Sequence, residues 1–179
     1  MNTWPNAVIT EKGLALLAKL TQGNTLRLTG ALAGDSFTKP VLLIKETRIA
    51  SPKQVLTFKA ATYPEVGKCK ITLTLTNENL DTGYVARQVG VFAQEPDEGE
   101  ILFLIVQAAD TTSGTIVPSE AEMPGYSAEW SLFFRYGQAD GVAVAVDPSN
   151  TVSREEMEDY IKNEFVPISA EDIDAILAE

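Results

Sequence analysis

The sequence predicts an α+β fold in which one amino-terminal helix packs on a mostly antiparallel sheet, with a helical appendage after the sheet. Three observations predict it: apolar residues recur at helical spacing near the start, apolar and polar residues alternate in several later segments, and two capping boxes stand near the end. The sheet is expected to have about six to eight strands. The α+β domain is predicted to span residues 1–150, and the helical tail residues 151–179.

The first helix is predicted over residues 10–20. Thr10 is a candidate N-cap, and Glu11 lies in the first turn, where a negative charge is favourable. Gly23 marks the end of the helix. The apolar residues at helical spacing are Leu14, Leu17 and Ala18.

Strand patterns follow the helix. Residues 25–33 alternate, with an apolar face expected to be buried, and two short strands are predicted over 41–47 and 54–60. The clearest strand covers residues 69–76, where apolar residues alternate with Lys and Thr. The single cysteine, Cys69, lies on its apolar face and is predicted to be an inert core residue. The expected apolar face of the first strand comprises Leu26, Leu28, Gly30 and Leu32.

Two hairpins are predicted in the second half of the domain. The first joins residues 84–94 to 100–108 through an acidic turn, and the second joins 126–136 to 141–146. Between them lies a long polar passage, 110–125, which is predicted to be a functional loop because loops of this length are uncommon. The residues expected to face inward in the last strand are Val142, Val144 and Val146.

The composition limits the classes of function. The chain has 14 Lys and Arg against 25 Asp and Glu, a net charge of −11, so its surface repels nucleic acid. It contains no histidine, which excludes Ser-His-Asp and Cys-His nucleophile systems and histidine zinc ligands. Its longest apolar stretch, residues 101–106, is too short to cross a membrane, and no membrane insertion is expected. Neither a glycine-rich phosphate loop nor a calcium-loop motif occurs, so no cofactor or metal is expected.

Carboxylates are the plentiful reactive groups, so a two-carboxylate glycosidase is the enzyme hypothesis to test. The interpretation favoured here is that the acids of the hairpin turn keep it solvated, and that the protein is not an enzyme. The candidate acids are Glu95, Asp97, Glu98 and Glu100 in one group, and Glu120, Glu122 and Glu129 in another.

Arg87 shares a predicted strand face with Val85, Val89 and Val91. A buried guanidinium must be paired or hydrogen-bonded, because an isolated buried charge is severely destabilising. The favoured interpretation is that Arg87 forms a structural ion pair. The alternatives are that it lies at the rim of a subunit interface or at an exposed edge.

The tail is predicted to contain two helices that begin at capping boxes, residues 153–156 and 169–172. The apolar stripe of the first helix either folds back on the sheet or forms a small bundle with copies from other chains. Its residues, candidates for assembly, are Met157, Tyr160, Ile161 and Phe165.

Three segments resemble the amino-terminal domain of bacteriophage tail fibre or tail-collar fibre proteins, of the kind found in contractile-tailed phages and prophages. Residues 8–20 are similar to the family's "ITxxGxxxLA" start, and the strand that follows runs into a Gly34-Asp35 turn. Residues 84–92 are similar to its "RE[LI]G[LV][FY]" motif, which here includes Arg87 and Gly90.

The third segment runs from Val146-Asp147 to Tyr160-Ile161 and resembles the closing "[VI]D…V…YV…I" motif. The sequence departs from the family at Gln88, where the family commonly has an acid, and its 179 residues do not include the long repeats and receptor-binding tip that normally follow in that family.

The resemblance implies a virion structural role in the phage or prophage tail, after synthesis in the bacterial host cytoplasm. The protein is then expected to attach a fibre to the baseplate, or to serve as a short fibre or adaptor whose shaft is a separate protein. Its expected partners are other tail or baseplate proteins and further copies of itself, with a trimer favoured. Arg87 is expected to organise the central hairpin, and Gly90 is a further structural or interface candidate.

The alternative function is a carbohydrate- or receptor-binding module at the tail tip. It uses Trp130, Tyr126 and the loop 110–125 as a sugar platform, and requires the aromatic rings to face solvent.

Overall fold

The protein is predominantly antiparallel β in the computed structural model, which describes residues 4–20, 25–136 and the backbone of 143–146. These residues form eleven strands, one α-helix and one 3-10 helix. In chain order the elements are β1 (Val8–Ile9), α1 (Glu11–Lys19), β2 (Thr25–Gly34), the 3-10 helix (Pro40–Lys45), β3 (Pro52–Val55), β4 (Thr57–Glu65), β5 (Lys68–Thr76), β6 (Tyr84–Ala86), β7 (Gln88–Glu95), β8 (Gly99–Gln107), β9 (Thr115–Val117), β10 (Ser127–Arg135) and β11 (Ala143–Val146).

Two main sheets make up the fold. The larger has the strand order β1-β8-β7-β2-β11, with β3 pairing beside the second half of β2. The smaller has the order β10-β5-β4, and β6 and β9 form a separate two-stranded ribbon. Among these pairings β11 runs parallel to β2, and the others are antiparallel.

The inner faces of the two main sheets share one hydrophobic core. Phe103 of β8 and Phe134 of β10 meet inside it, with ring centroids 5.2 Å apart in an edge-to-face arrangement. Because each sheet covers the apolar face of the other, the architecture is a β-sandwich.

The predicted α+β class is therefore wrong. About half of the described residues are in strands. The nine residues of α1 make a helix about 14 Å long, too short to form a layer over a six-stranded sheet. The sequence interpretation placed all strands in one sheet and assigned its cover to the helix, whereas a second sheet provides most of that cover. The predicted helical appendage lies outside the described residues.

The first helix and the clearest strand are confirmed, although the buried residues of α1 are Gly13 and Leu16, whereas Leu14 is 47% exposed. Thr10 caps α1, with its side-chain oxygen accepting a hydrogen bond from the Gly13 amide at 3.0 Å. In β5 the alternate residues from Cys69 to Leu75 are buried, and burial raises the pKa of the Cys69 thiol to about 11, which keeps it protonated and inert. The predicted stop at Gly23 lies outside the described residues.

The buried face of β2 changes partway along the strand, contrary to the prediction. Leu26 and Leu28 are buried as expected, but Ala31 and Ala33 replace Leu32 in the core. The cause is a β-bulge, since the register against β7 shifts between Leu28 and Gly30 and reverses which side chains face inward.

Two other strand predictions need correction. Residues 41–47 do not form a strand, because the chain enters the 3-10 helix at Pro40. Leu43 of this helix is buried in a small hydrophobic cluster with Leu102 and Ile105. Residues 54–60 are divided between β3 and β4, which pair with different sheets.

The second predicted hairpin is also wrong. The strand Ala143–Val146 does not pair with β10 but lies parallel to β2, with Val146 opposite Leu28. An alternating pattern is the same whichever strand provides the partner, so the sequence did not distinguish the two. Val142 lies outside the described residues.

A second, smaller core covers the outer face of the larger sheet. Leu102 and Ile105 of β8 contact Leu43 and Ile49 from the segment between β2 and β3. The central strands of this sheet are thus buried on both faces. None of the helices in the described ranges has the length and hydropathy of a membrane span.

Candidate functional site

Residues from the first two motif segments meet around β8, in a region that we call the motif junction: Thr10, Gly13, Gly34, Arg87 and Gly90. Thr10 is fully buried, its hydroxyl donates to the Leu102 carbonyl at 2.5 Å, and its amide donates to the Phe103 carbonyl at 3.0 Å. The start of α1 is therefore fixed directly to the backbone of β8.

Gly13 allows the helix to approach that strand closely. A Cβ at this position would overlap the Phe103 carbonyl oxygen and would lie 2.8 Å from the Ile9 side chain. Since a backbone carbonyl in the middle of a sheet has little freedom to move, the site excludes side chains.

Gly90 and Gly34 leave room for Ile49 on the other side of the sheet. A Cβ at Gly90 would lie 2.7 Å from Ile49 and 2.8 Å from Leu102, and one at Gly34 would lie 2.5 Å from Ile49. Leu102 thus links the two halves of the junction, because its backbone accepts from Thr10 and its side chain covers Gly90.

Arg87 lies at the break between β6 and β7 and is half-buried. Its guanidinium donates to the carbonyl of Asp35 at 3.1 Å and to that of Thr111 at 3.0 Å, while its amide donates to Gly34 at 2.8 Å. Within the described ranges the Arg87 guanidinium thus donates to backbone carbonyls, and the ion pair with an acidic side chain that the sequence favoured is not found. The Asp35 carboxylate pairs instead with Lys53 at 3.1 Å. Arg87 therefore connects the loops that contain Asp35 and Thr111.

Gln88, at the position where the family commonly has an acid, belongs to a buried amide cluster. Its amide nitrogen donates to the Gln107 side-chain oxygen at 2.7 Å and to the Thr38 hydroxyl at 3.3 Å. Gln107 in turn exchanges two 2.7 Å hydrogen bonds with the backbone of Thr38. Sequence analysis missed Thr38 and Gln107, although a glutamine at the end of the apolar run of β8 was a signal that a buried polar contact was needed.

The acidic hairpin turn is not merely solvated. Glu95 is buried and accepts hydrogen bonds from the amides of Asp97 and Glu98 at 2.7 and 2.5 Å, and from Lys19 of α1 at 2.6 Å. The hydrogen bond from Lys19 is the main reason that the pKa of Glu95 is lowered. The turn and the helix are therefore held together by charge, with Lys12 adding an ion pair to Glu98.

The other candidate acids also have structural partners. Glu122 accepts from the Ser119 amide at 2.9 Å, which lowers its pKa, and Glu129 forms an ion pair with Lys59. A glycosidase general acid requires a raised pKa, and the shifts of Glu95 and Glu122 have the opposite sign. The remaining contacts join Glu100 to Thr29, Glu120 to the Asn79 amide, and Asp97 to Lys19.

The described residues contain no group of three or more His, Cys, Asp or Glu side chains that would hold a metal ion.

The proposed sugar platform is not formed at Trp130. This ring is 6% exposed and packs edge-on against Trp4, with centroids 5.7 Å apart. Tyr126 is half-buried and donates to the Ile116 carbonyl at 2.9 Å. Trp130 faces inward because it belongs to the same alternate set of β10 residues as the buried Leu132.

The predicted functional loop 110–125 is ordered by the protein itself. It contains β9, which pairs with β6, and the side-chain amide of Asn77 donates to three of its carbonyls. Sequence analysis did not identify Asn77, which lies directly after β5 and is 1% exposed. Those carbonyls belong to Pro118, Ser119 and Met123.

Two cavities of about 310 Å³ each lie between the amino-terminal segment and β10. One is bounded by Trp4, Pro5 and the middle of β10, and the other by Ile9, Phe133 and the end of β10. Neither contains an opposed pair of acids among its lining residues, whereas a third cavity of about 270 Å³ is lined by Glu78 and Glu120 together with Tyr126. The assembly candidates of the tail, Met157, Tyr160, Ile161 and Phe165, lie outside the described residues.

Comparison with protein-family models, with curated proteins and with solved structures found no match to this chain. The resemblance to tail fibre domains therefore stays a prediction from the three motifs.

Proposed function

We propose that this chain is a structural protein of a phage or prophage tail, which attaches a fibre to the baseplate or acts as a short fibre or adaptor. The observation that carries the proposal is the motif junction. Residues quoted for two separate motif segments, and for the Gly-Asp turn between them, contact one another through β8 and its neighbours.

Each junction position has a geometric reason for its residue type. Thr10 acts as a cap and also bonds to the neighbouring strand, and Gly13 lies where no side chain fits. Arg87 reaches two carbonyls in different loops, for which the forked donors of a guanidinium are well suited. A chance likeness would not be expected to collect its quoted residues in one region with such constraints, so the junction supports a shared fold.

The role of the acids supports binding rather than catalysis. Glu95, Glu122 and Glu129 each stabilise a turn, a loop or a cross-strand pair, and the junction residues hold backbone segments in place. On this proposal the protein catalyses no reaction and takes no cofactor. Its partners are tail or baseplate proteins and copies of itself, with a trimer favoured by the family resemblance and by the apolar stripe predicted for the helical tail.

The proposal is tested by deleting the gene and inducing particles from the genome that encodes it. We expect mass spectrometry to find the protein in purified wild-type tails, and electron microscopy of the deletion particles to show tails without their fibres. Expression of the wild-type chain from a plasmid should restore the fibres. Its absence from purified tails, or normal fibres without the gene, would contradict the proposal.

A further inference from the structure

The outer face of the smaller sheet gathers cations at one end, in a group that we call the cationic patch: Lys68, Lys70, Phe133 and Arg135. Across the two strands Arg135 lies opposite Lys68, and Phe133 lies opposite Lys70. Lys68 pairs with Glu65 at 2.6 Å, whereas Lys70 and Arg135 have no ion pair within the described ranges. This surplus of positive charge stands on a chain whose net charge is −11.

The cationic patch has an apolar centre. The ring of Phe133 is 58% exposed, and the Lys70 ammonium group lies 5.7 Å from its centroid. Phe133 and Arg135 also line one of the two cavities beside the amino-terminal segment, so that segment borders the patch without covering the ring. A complementary partner would combine negative charge with apolar side chains.

The carboxyl-terminal tail has this combination. Residues 151–179 contain nine acids against Arg154 and Lys162, and thus carry −7 of the net charge. In the helix predicted to begin at the capping box 153–156, the apolar stripe contains an acid as well. Glu164 stands four residues after Tyr160 and three after Ile161, a spacing that places all three on one helix face.

The tail begins close enough to reach the patch. β11 ends at Val146 and lies against β4, and β5 is the next strand of the smaller sheet. Residues 147–152 can extend over about 20 Å, whereas neighbouring strands are only about 5 Å apart. The exposed Lys39 and Lys45 are less accessible to the tail, because they flank the 3-10 helix on the outer face of the larger sheet.

We propose that the tail, residues 151–179, docks on the cationic patch of its own chain, with its acids facing Lys70 and Arg135 and its apolar stripe against Phe133. Charge complementarity and the short distance to the end of β11 select this occupant. The contact competes with a bundle of tail helices from several copies, since one apolar stripe covers one surface at a time. The inference does not depend on the proposed tail function, because it concerns a contact within one chain.

Carbodiimide cross-linking of the full chain, read by mass spectrometry, provides the first test. We expect acids of the tail to be joined to Lys68 and Lys70 and not to Lys39 or Lys45. The ion pair between Lys68 and Glu65 is an internal control for the reagent. In a mixture of unlabelled and isotope-labelled chains, the cross-links should stay within one label, because the tail docks on its own chain.

Cleavage of the tail by a glutamate-specific protease provides the second test. Lys70→Glu combined with Arg135→Glu should speed the cleavage about fivefold, because like charges replace two attractive contacts and free the tail. High salt should speed the cleavage of the wild-type chain in the same way, since it screens these charges. Lys39→Glu combined with Lys45→Glu is the matched control, with the same change in net charge and no expected effect. Circular dichroism establishes that both double variants fold.

Four results would each overturn the proposal. They are tail cross-links to Lys39 or Lys45 in place of the patch, cross-links that join the two isotope labels, an absence of tail cross-links where Lys68 and Glu65 are joined, and equal cleavage rates in the two double variants.

Discussion

The outer faces of the two sheets differ in what covers them. On the larger sheet, Leu102 and Ile105 lie beneath Leu43 and Ile49, so β8 is buried on both sides. On the smaller sheet, the outward residues of β5 are two lysines and three threonines, and β10 exposes Phe133. The sequence carries this difference, because a strand buried on both faces has a continuous apolar run and a strand buried on one face alternates.

The comparison shows where the molecule tolerates change. Part of the motif junction lies on the outer face of the larger sheet, where Gly34 and Gly90 leave room for the side chain of Ile49. The outer face of the smaller sheet, which we call the open face, instead carries the polar side chains of β5 and the exposed ring of Phe133. Substitutions matched in chemistry but placed on the two faces should therefore differ in effect.

The largest difference in the free energy of unfolding is expected between alanine substitutions of two large apolar residues, Leu102 and Phe133. Leu102→Ala should lower the free energy of unfolding by about 3 kcal/mol, because it leaves a cavity beneath Ile49. Phe133→Ala should change it by less than about 0.5 kcal/mol, because that ring is already exposed. Urea denaturation at dilute protein concentration measures both, and equal effects would show that the outer face of the larger sheet is not a true core.

The second comparison reverses the usual preference of a helix for alanine. Gly13→Ala should cost about 2 kcal/mol despite the better helix propensity of alanine, because the new methyl group overlaps the Phe103 carbonyl oxygen. Ala15→Gly, at an exposed position of the same helix, should cost about 1 kcal/mol from propensity alone. A stabilising Gly13→Ala would mean that α1 does not approach β8 closely.

The third comparison uses two arginines. Arg87→Lys should lower the free energy of unfolding by about 1 kcal/mol, because a lysine cannot donate to both the Asp35 and Thr111 carbonyls in the same geometry. Hydrogen exchange should speed up in the loop that contains Thr111. Arg135→Lys is the control, since it keeps the charge of an exposed side chain on β10 and should have little effect on the monomer.

The smallest expected effect concerns pH. The pKa of Glu95 is lowered in the folded chain from its ordinary value of 4.5, so its contribution to stability is present above that value and is lost as pH falls through the folded pKa. Glu95→Gln should make the acid-induced fall of the unfolding temperature shallower. Glu129→Gln, which removes an exposed acid from the open face, is the control measured in the same scans. An unchanged acid profile for Glu95→Gln would show that its hydrogen bonds to the turn contribute nothing.

Much of the local structure was predictable. The cap at Thr10 and the alternation of β5 depend on neighbours in sequence and were found as predicted. The first hairpin was found as β7 and β8, but residues 84–86 of its predicted first strand form β6, which pairs with β9 instead. The assignment of residues 41–47 failed because its apolar residues follow Pro40 into a 3-10 helix that packs across the sheet. Tertiary packing overrode strand propensity there.

The candidate site was predicted only in part. Arg87 and Gly90 were singled out from the motif, but the carbonyl partners of Arg87 lie 52 and 24 residues away in sequence. Asn77 and the Gln88–Gln107 pair escaped notice, because a buried amide has no sequence signature apart from standing next to apolar residues.

Sequence patterns alone placed α1 and most of the strands and, through their periods, indicated that β5 buries one face and β8 both; residues 41–47 were an exception. Only the tertiary structure decided that there are two sheets, that β11 joins β2 in parallel, and that a bulge in β2 reverses its inner face. The physical reason is that every extended strand offers the same backbone hydrogen-bonding groups and the same two-residue alternation. Neither feature therefore identifies the partner strand. The choice of partner therefore depends on side-chain packing between residues far apart in the chain.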